Sequence, residues 1–201
     1  MQNHHYYSKD QTGLESAPSE FVFNFKEHTF KFHTDSGVFS KHYIDYGSFA
    51  LLKAFTPNDL PYPILDMGAG YGPIGIVISK LYSKEVYMCE INERAYLLNQ
   101  KNIIQNQATK ARVFHSDLYE KVSGVMFSSI VTNPPIRAGK KVVYEIYSKA
   151  YEHLVCGGEL WVVIQKKQGA PSSKDYLTTI FGNCEIVAKD KGYYILRCVK
   201  K

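Results

Sequence analysis

The chain has 201 residues, 45% of them hydrophobic and 21% charged, which excludes a disordered or fibrous polymer and fits one hydrophobic core carrying one active site. Lys and Arg total 24 against 19 Asp and Glu, a formal net charge of +5 that is compatible with a polyanionic partner without requiring one. No apolar run approaches a membrane span, the polar start from Met1 to Asp10 lacks the apolar centre of a signal peptide, and Cys89, Cys156, Cys184 and Cys198 stand too far apart for a zinc knuckle or disulfide framework. A reducing cytoplasm is the expected setting, and the pair His4 and His5 is expected to hold no metal.

The texture changes near residue 57, so residues 1–56 read as an N-terminal extension of the same domain and residues 57–201 as its catalytic part. Apolar side chains alternate through Phe21, Phe23 and Phe25 and again through Phe30 and Phe32, which predicts two strands joined near Glu27 and His28. From Tyr43 to Phe55 the residues Ile44, Leu51, Leu52 and Phe55 return at helical spacing until Pro57 and Asn58 end the run. Beyond Pro63 a strand, a glycine turn and a helix follow one another repeatedly, the pattern of an α/β, Rossmann-like, doubly wound sheet. Strands are expected over residues 64–67, 85–90, 111–114, 127–132 and 159–164, with helices over 74–82, 93–105 and 142–154. The tail adds a helix over 174–181 and strands over 185–188 and 193–199, separated by the hairpin turn Asp190-Lys191-Gly192. In such sheets ligands bind at the carboxyl ends of the strands, so the chemistry should lie just after each of them.

The first such place is Asp66-Met67-Gly68-Ala69-Gly70-Tyr71-Gly72-Pro73-Ile74-Gly75, where Gly68 and Gly70 let backbone approach a ligand ahead of a helix amino terminus. Gly70, Gly72 and Gly75 also satisfy the spacing of a dinucleotide-binding loop. Asp66 decides between the two cofactors: a carboxylate there suits the cationic aminoacyl end of S-adenosylmethionine and repels a pyrophosphate. Glu90, ending the next strand, is placed to accept both hydroxyls of an adenosine ribose, while Asn92 behind it reads as a helix cap. Asp117, after the third strand, falls at the same sheet edge and could accept the adenine amino group or simply turn the chain.

The fourth place, Thr132-Asn133-Pro134-Pro135, discriminates best. An amine conjugated with a ring has a delocalised lone pair, and methylating it requires acceptors that localise that pair by pyramidalising the nitrogen. The Asn133 side-chain oxygen and the Pro134 carbonyl can both accept from one NH2 group, and two successive prolines stiffen the backbone and remove competing donors. Lys140-Lys141 and Lys166-Lys167 follow the fourth and fifth strands, where they are either solvated or in contact with phosphates. Phe39 is the aromatic expected to meet a flipped base, or else to pack under the cofactor.

With these residues in view the chain resembles the small-domain methyltransferases, and within them the ribosomal RNA small-subunit methyltransferase C family, which methylates a guanine exocyclic amine. The resemblance runs through Asp35-Ser36-Gly37-Val38-Phe39-Ser40, Asp45-Tyr46-Gly47, the glycine loop, Asn133-Pro134-Pro135, Gln165-Lys166-Lys167-Gln168-Gly169-Ala170 and Lys191-Gly192-Tyr193. It implies a seven-stranded sheet with its last strand antiparallel, S-adenosylmethionine on Asp66, Gly68, Gly70, Glu90, Asp117 and Asn133, and the target amine at Asn133 and Pro134. Phe39, Pro135, Arg137, Lys166 and Lys167 are then the expected substrate-binding residues, the partner is ribosomal RNA or the small ribosomal subunit, and neither a metal nor a membrane is involved. Two departures stand out: Ile136 replaces the Tyr or Phe that follows the prolines in enzymes acting on adenine or glutamine, and Arg137 stands where relatives often carry a histidine. Some relatives carry a second, degenerate methyltransferase domain in front, for which this chain is too short, so docking is expected to use the hairpin, the loop after Pro135 or a partner.

Overall fold

A computed structural model describes residues 15–38, 40 and 42–201. Strands β1 (Ser19–Phe25) and β2 (His28–Thr34) pair antiparallel, with Phe21 opposite Phe32 and Phe23 opposite Phe30. Helix α1 (Tyr46–Ala54) follows, its amino end capped by Asp45, whose carboxylate accepts the Ser48 N–H at 3.1 Å. That cap explains why the helix starts at Tyr46 and not at Tyr43.

The remaining elements alternate as β3 (Ile64–Met67), α2 (Pro73–Tyr82), β4 (Val86–Glu90), α3 (Glu93–Gln105), β5 (Ala111–His115), β6 (Phe127–Thr132), α4 (Lys140–His153), β7 (Leu154–Gln165), α5 (Ala170–Phe181), β8 (Glu185–Asp190) and β9 (Tyr193–Val199). Strands β3 to β9 form one seven-stranded sheet in the order β5-β4-β3-β6-β7-β9-β8. All pairings from β5 to β7 are parallel, and β9 runs antiparallel to both β7 and β8. The chain runs outward from β3 to β5 and then returns to lay β6 on the other side of β3. The order therefore reverses between β3 and β6, the position where such sheets open a crevice.

Successive strand residues enter opposite cores. Ile64, Val131, Trp161, Val163 and Ile195 face a core shared with the hairpin, α1 and α2, while Leu65, Ile130, Leu160, Val162 and Leu196 face α4 and α5. Both faces of the sheet are therefore covered by apolar layers. Phe25, Phe30 and Phe32 lie in the first core, so the N-terminal segment packs into the same apolar interior as the sheet. Its outer edge is held by helix α3: Asn106 exchanges hydrogen bonds with both the N–H and the carbonyl of Lys31 at 2.9 and 2.8 Å, and Asn102 does the same for His33 at 2.7 and 3.0 Å.

The boundaries that differ most from the sequence reading are the starts of β7 and α5. Strand β7 begins at Leu154 and not at residue 159, running through Gly157 and Gly158 with a register shift against β6. Helix α5 begins at Ala170 and not at residue 174, because Pro171 occupies its first turn, where a missing N–H costs nothing. Among the described residues no helix is long and apolar enough to cross a membrane, and no group of three or more His, Cys, Asp or Glu side chains could hold a metal ion. His4 and His5 lie outside the described residues.

Candidate active site

At the crevice between β3 and β6 the structure encloses a cavity of about 320 Å³, within the range of small-ligand sites. One wall is the loop joining β3 to α2. Gly68, Gly70 and Gly72 adopt φ of +75°, +57° and +96°. A Cβ on Gly68 or Gly70 would meet no atom within 4 Å, so both present bare backbone to open space. A Cβ on Gly72 would lie 2.7 Å from the Asn99 side-chain oxygen, so there the missing side chain serves close packing on α3. Asn99 in turn donates to the Gly70 carbonyl at 3.1 Å, and Asn102 to the Tyr71 carbonyl at 2.9 Å, fixing two loop peptides from behind.

Glu90 closes the next wall and is almost wholly buried. One carboxylate oxygen accepts the Gly70 N–H and the other the Asn92 N–H, each at 2.7 Å. With the Ile91 N–H as a third backbone donor, the carboxylate still has acceptor capacity left for a ligand. Burial raises this carboxyl above the usual range, against the lowering effect of its backbone hydrogen bonds. Asp66 lies beneath the loop and outside the cavity wall, 1% exposed, with one oxygen accepting the Gly75 N–H at 2.9 Å and the other without a partner. Burial, with the Glu90 charge adding to it, pushes its carboxyl up to about 7 against the Gly75 hydrogen bond.

Opposite the glycines stand Asn133, Pro134 and Pro135 at the end of β6. The Asn133 amide nitrogen donates to the Asp45 carboxylate at 3.0 Å and to the Ser48 hydroxyl at 3.1 Å. Both amide hydrogens are thereby used, and the amide oxygen is left as the acceptor on offer. Pro135 (φ −75°, ψ 80°) makes an inverse γ-turn in which the Pro134 carbonyl accepts the Ile136 N–H at 2.9 Å. One of its two lone pairs is spent there. Ile136 and Arg137 line the mouth.

The sequence-derived residues thus separate into groups. Gly68, Gly70, Glu90, Asn133, Pro134, Pro135 and Arg137 come together around the cavity. Asp66 supports the loop from below. Asp117 is half-buried and outside the wall, its backbone carbonyl accepting the Glu120 N–H at 3.2 Å in the turn after β5. Lys140 and Lys141 open α4, and Lys166 and Lys167 form a short turn after β7; all four are exposed and outside the wall. Phe39 lies outside the described residues. The lining residues given no site role in the sequence reading include the polar side chains of Asp45, Ser48, Gln165 and Tyr193. Asp45, Gln165 and Tyr193 fall in segments that carried the family resemblance, which was their one visible signal.

The fit to S-adenosylmethionine can be judged from these atoms. Among the described residues, the buried side-chain atoms lacking a hydrogen-bond partner include Asp66 Oδ1, Tyr71 Oη and Asn99 Oδ1, all three around the glycine loop. Unsatisfied buried polar atoms are costly, and their collection beside bare glycines and a carboxylate with spare lone pairs fits a polar, cationic ligand carrying a ribose.

Comparison with known proteins agrees. Residues 29–197 match the methyltransferase small domain. Uncharacterized protein YbxB of Bacillus subtilis (strain 168) is 46% identical over 198 residues, 98% of each chain. Ribosomal RNA small subunit methyltransferase C of Vibrio cholerae serotype O1 is 30% identical over 192 residues, 93% of this chain and 54% of its own. The T. thermophilus 16S rRNA N2 methyltransferase RsmC, solved in complex with AdoMet and guanosine, superposes with a TM-score of 0.84 at 28% identity, over 94% of this chain and 52% of that one. The chain spans about half the length of these two ribosomal RNA methyltransferases. With residues 29–197 covered by that match, the chain belongs to the methyltransferase small domain family.

Proposed function

We propose that this chain transfers the methyl group of S-adenosylmethionine to the exocyclic N2 amine of a guanine in small-subunit ribosomal RNA, in the cytoplasm. The observation that carries the reading is the Asn133 amide: its hydrogens are taken by Asp45 and Ser48, so its oxygen is presented as an acceptor beside the bare backbone of Gly68 and Gly70.

Bound in the cavity, S-adenosylmethionine supplies a methyl group activated by a sulfonium. Glu90 holds the ribose hydroxyls with its remaining lone pairs, and Gly68 and Gly70 admit the aminoacyl end over their backbone. Asp66 answers that end's positive charge from beneath the loop. The Asn133 oxygen, with the second lone pair of the Pro134 carbonyl, accepts the two hydrogens of the target amine and directs its lone pair toward the methyl group. Pro135 holds that geometry, and Ile136 in place of a flat aromatic ring disfavours adenine and glutamine. Arg137, Lys140, Lys141, Lys166 and Lys167 meet phosphates around the mouth. Phe39 is proposed to lie against the base, and Asp117, in the turn after β5, to accept the adenine amino group.

The test incubates the protein with labelled S-adenosylmethionine and small ribosomal subunits from a strain lacking the gene, then locates the methyl group by nuclease digestion and mass spectrometry. N2-methylguanine in the small-subunit RNA is expected. Label confined to large-subunit RNA, to protein or to another base would replace this substrate assignment.

A further inference from the structure

We infer that Asp45 is a positioning residue for methyl transfer, acting through Asn133; the inference rests on the proposed role of the Asn133 oxygen. A carboxamide has two ends of nearly equal shape and opposite hydrogen-bonding character. Turned one way, Asn133 offers the target amine an acceptor. Turned the other way, it offers two hydrogens to a group that is itself a donor, and the amine is repelled. Nothing within Asn133 chooses between these states, so its neighbours must.

Asp45 makes the choice. Its Oδ1 accepts from the Asn133 amide nitrogen at 3.0 Å, and a carboxylate has no hydrogen to give back, so the reversed amide would set oxygen against oxygen. The Ser48 hydroxyl, 3% exposed, takes the second amide hydrogen at 3.1 Å. A hydroxyl both donates and accepts, so Ser48 supports the orientation without dictating it.

Asp45 is itself held from several sides. It caps α1 through the Ser48 N–H at 3.1 Å, and its backbone carbonyl accepts the Phe49 N–H at 3.1 Å. A Cβ on Gly47 would lie 2.9 Å from the Tyr193 ring and 3.0 Å from Asp45 Oδ1, so the turn is pressed between that ring and the carboxylate. Next to it, the Tyr46 hydroxyl donates to Asp190 at 2.6 Å, tying the start of α1 to the hairpin of β8 and β9. The orientation of the Asn133 amide is therefore set by an N-terminal segment 88 positions away in the sequence.

Replacing Asp45 by Ser tests this, because Ser is an equally good helix cap while its short hydroxyl withdraws the carboxylate from Asn133. With small ribosomal subunits as acceptor, Asp45→Ser should lower kcat at least about tenfold, leaving S-adenosylhomocysteine affinity and melting temperature at parent values. Asp45→Asn, which keeps an acceptor oxygen, should restore part of the rate. In an Asn133→Ala background the Asp45→Ser change should alter kcat by less than about twofold, since the residue it acts through is gone. An equal loss in both backgrounds overturns the inference. A second measurement needs no RNA: the Asn133 side-chain NH2 resonances, identified by their loss in Asn133→Ala, should exchange with solvent at least about tenfold faster in Asp45→Ser. Unchanged exchange overturns the positioning role. A parent protein that methylates no ribosomal RNA overturns the proposed function, and the exchange result still decides the role of Asp45.

Discussion

Asp66 accepts the Gly75 N–H at 2.9 Å, joining the end of β3 to the first turn of α2 across the whole glycine loop. The bond leaves the other Asp66 oxygen buried and without a partner. Folded, the carboxyl holds its proton up to about pH 7, against an ordinary value of 3.8. Between those values the folded chain binds more protons than the unfolded one, so this group's contribution to stability falls as pH rises through that window. Glu90 is shifted in the same direction, whereas Asp35 and Asp190 are lowered and act only in more acid solution. The unliganded Asp66→Asn variant should therefore lose less melting temperature than the parent between about pH 5 and pH 7.5. Parallel melting curves across that range would refute the assignment. In the parent, S-adenosylhomocysteine should bind more tightly as pH rises through about 7, because its ammonium favours the carboxylate.

Glu90 should prove separable from Asp66. Glu90→Ala removes the acceptor of the Gly70 N–H along with the ribose contacts, and titration calorimetry should show S-adenosylhomocysteine weakened by about 1–3 kcal/mol. Glu90→Gln should fare little better. Both carboxylate oxygens accept backbone N–H groups, and an amide would turn its NH2 against one of them. Parent-like affinity in both variants would remove Glu90 from the cofactor site.

For Asn133 the decisive variant is the nearly isosteric one. Asn133→Ala should lower the rate of methyl transfer roughly a hundredfold or more while sparing S-adenosylmethionine affinity. Asn133→Asp keeps an acceptor, yet it loses both hydrogens given to Asp45 and Ser48 and sets a second carboxylate against Asp45. It should be as poor as Ala in single-turnover assays. Substantial activity in Asn133→Asp would mean that the acceptor alone suffices.

The glycines of one loop should separate into two classes. A Cβ on Gly75 would fall 2.5 Å from the sulfur of buried Met88, so Gly75→Ala should cost about 1–3 kcal/mol of stability by overpacking, read as a lower melting temperature. Gly68 has open space at that position. Gly68→Ala should bear only the cost of its positive φ, about 1 kcal/mol, and show its larger effect in cofactor affinity. Equal destabilisation with unaltered binding would show that Gly68 does not face the ligand.

If ribosomal RNA is the substrate, binding should weaken steeply with salt, since each lysine–phosphate contact releases a counterion. Replacing the exposed Lys140, Lys141, Lys166 and Lys167 together by Gln should flatten that dependence by roughly one unit of log–log slope per lost contact. Salt-independent affinity would argue against a polyanionic substrate.

The elements that the sequence located to the residue are those whose burial leaves one pattern open. β3, β6 and β9 are short strands, rich in β-branched and aromatic residues or wholly buried, bounded by turn residues, and α3 starts at an Asn cap. β7 was read too short because Leu154, Val155 and Cys156 extend a helical run with no break, and the pairing of Leu154 with Phe127 of β6 is not visible in the local sequence. The cofactor half of the site was readable in the same way, because glycines and strand-end carboxylates are local signals. Asp45, Ser48, Gln165 and Tyr193 were not, since an N-cap, a helix serine and two strand-end residues acquire meaning only when α1 and β9 are laid against the end of β6.

Asn102 gives one hydrogen of its amide to His33 in the hairpin and the other to Tyr71 in the glycine loop. The N-terminal hairpin and the cofactor loop are therefore fastened to the same rivet. A protein engineer moving this active site onto another scaffold would have to carry the hairpin, α3 and the loop together. A natural recombination that exchanged the first fifty residues for a foreign segment would leave the Asn102 and Asn106 amides facing a surface they were not shaped to hold, and slacken the cofactor loop from a distance.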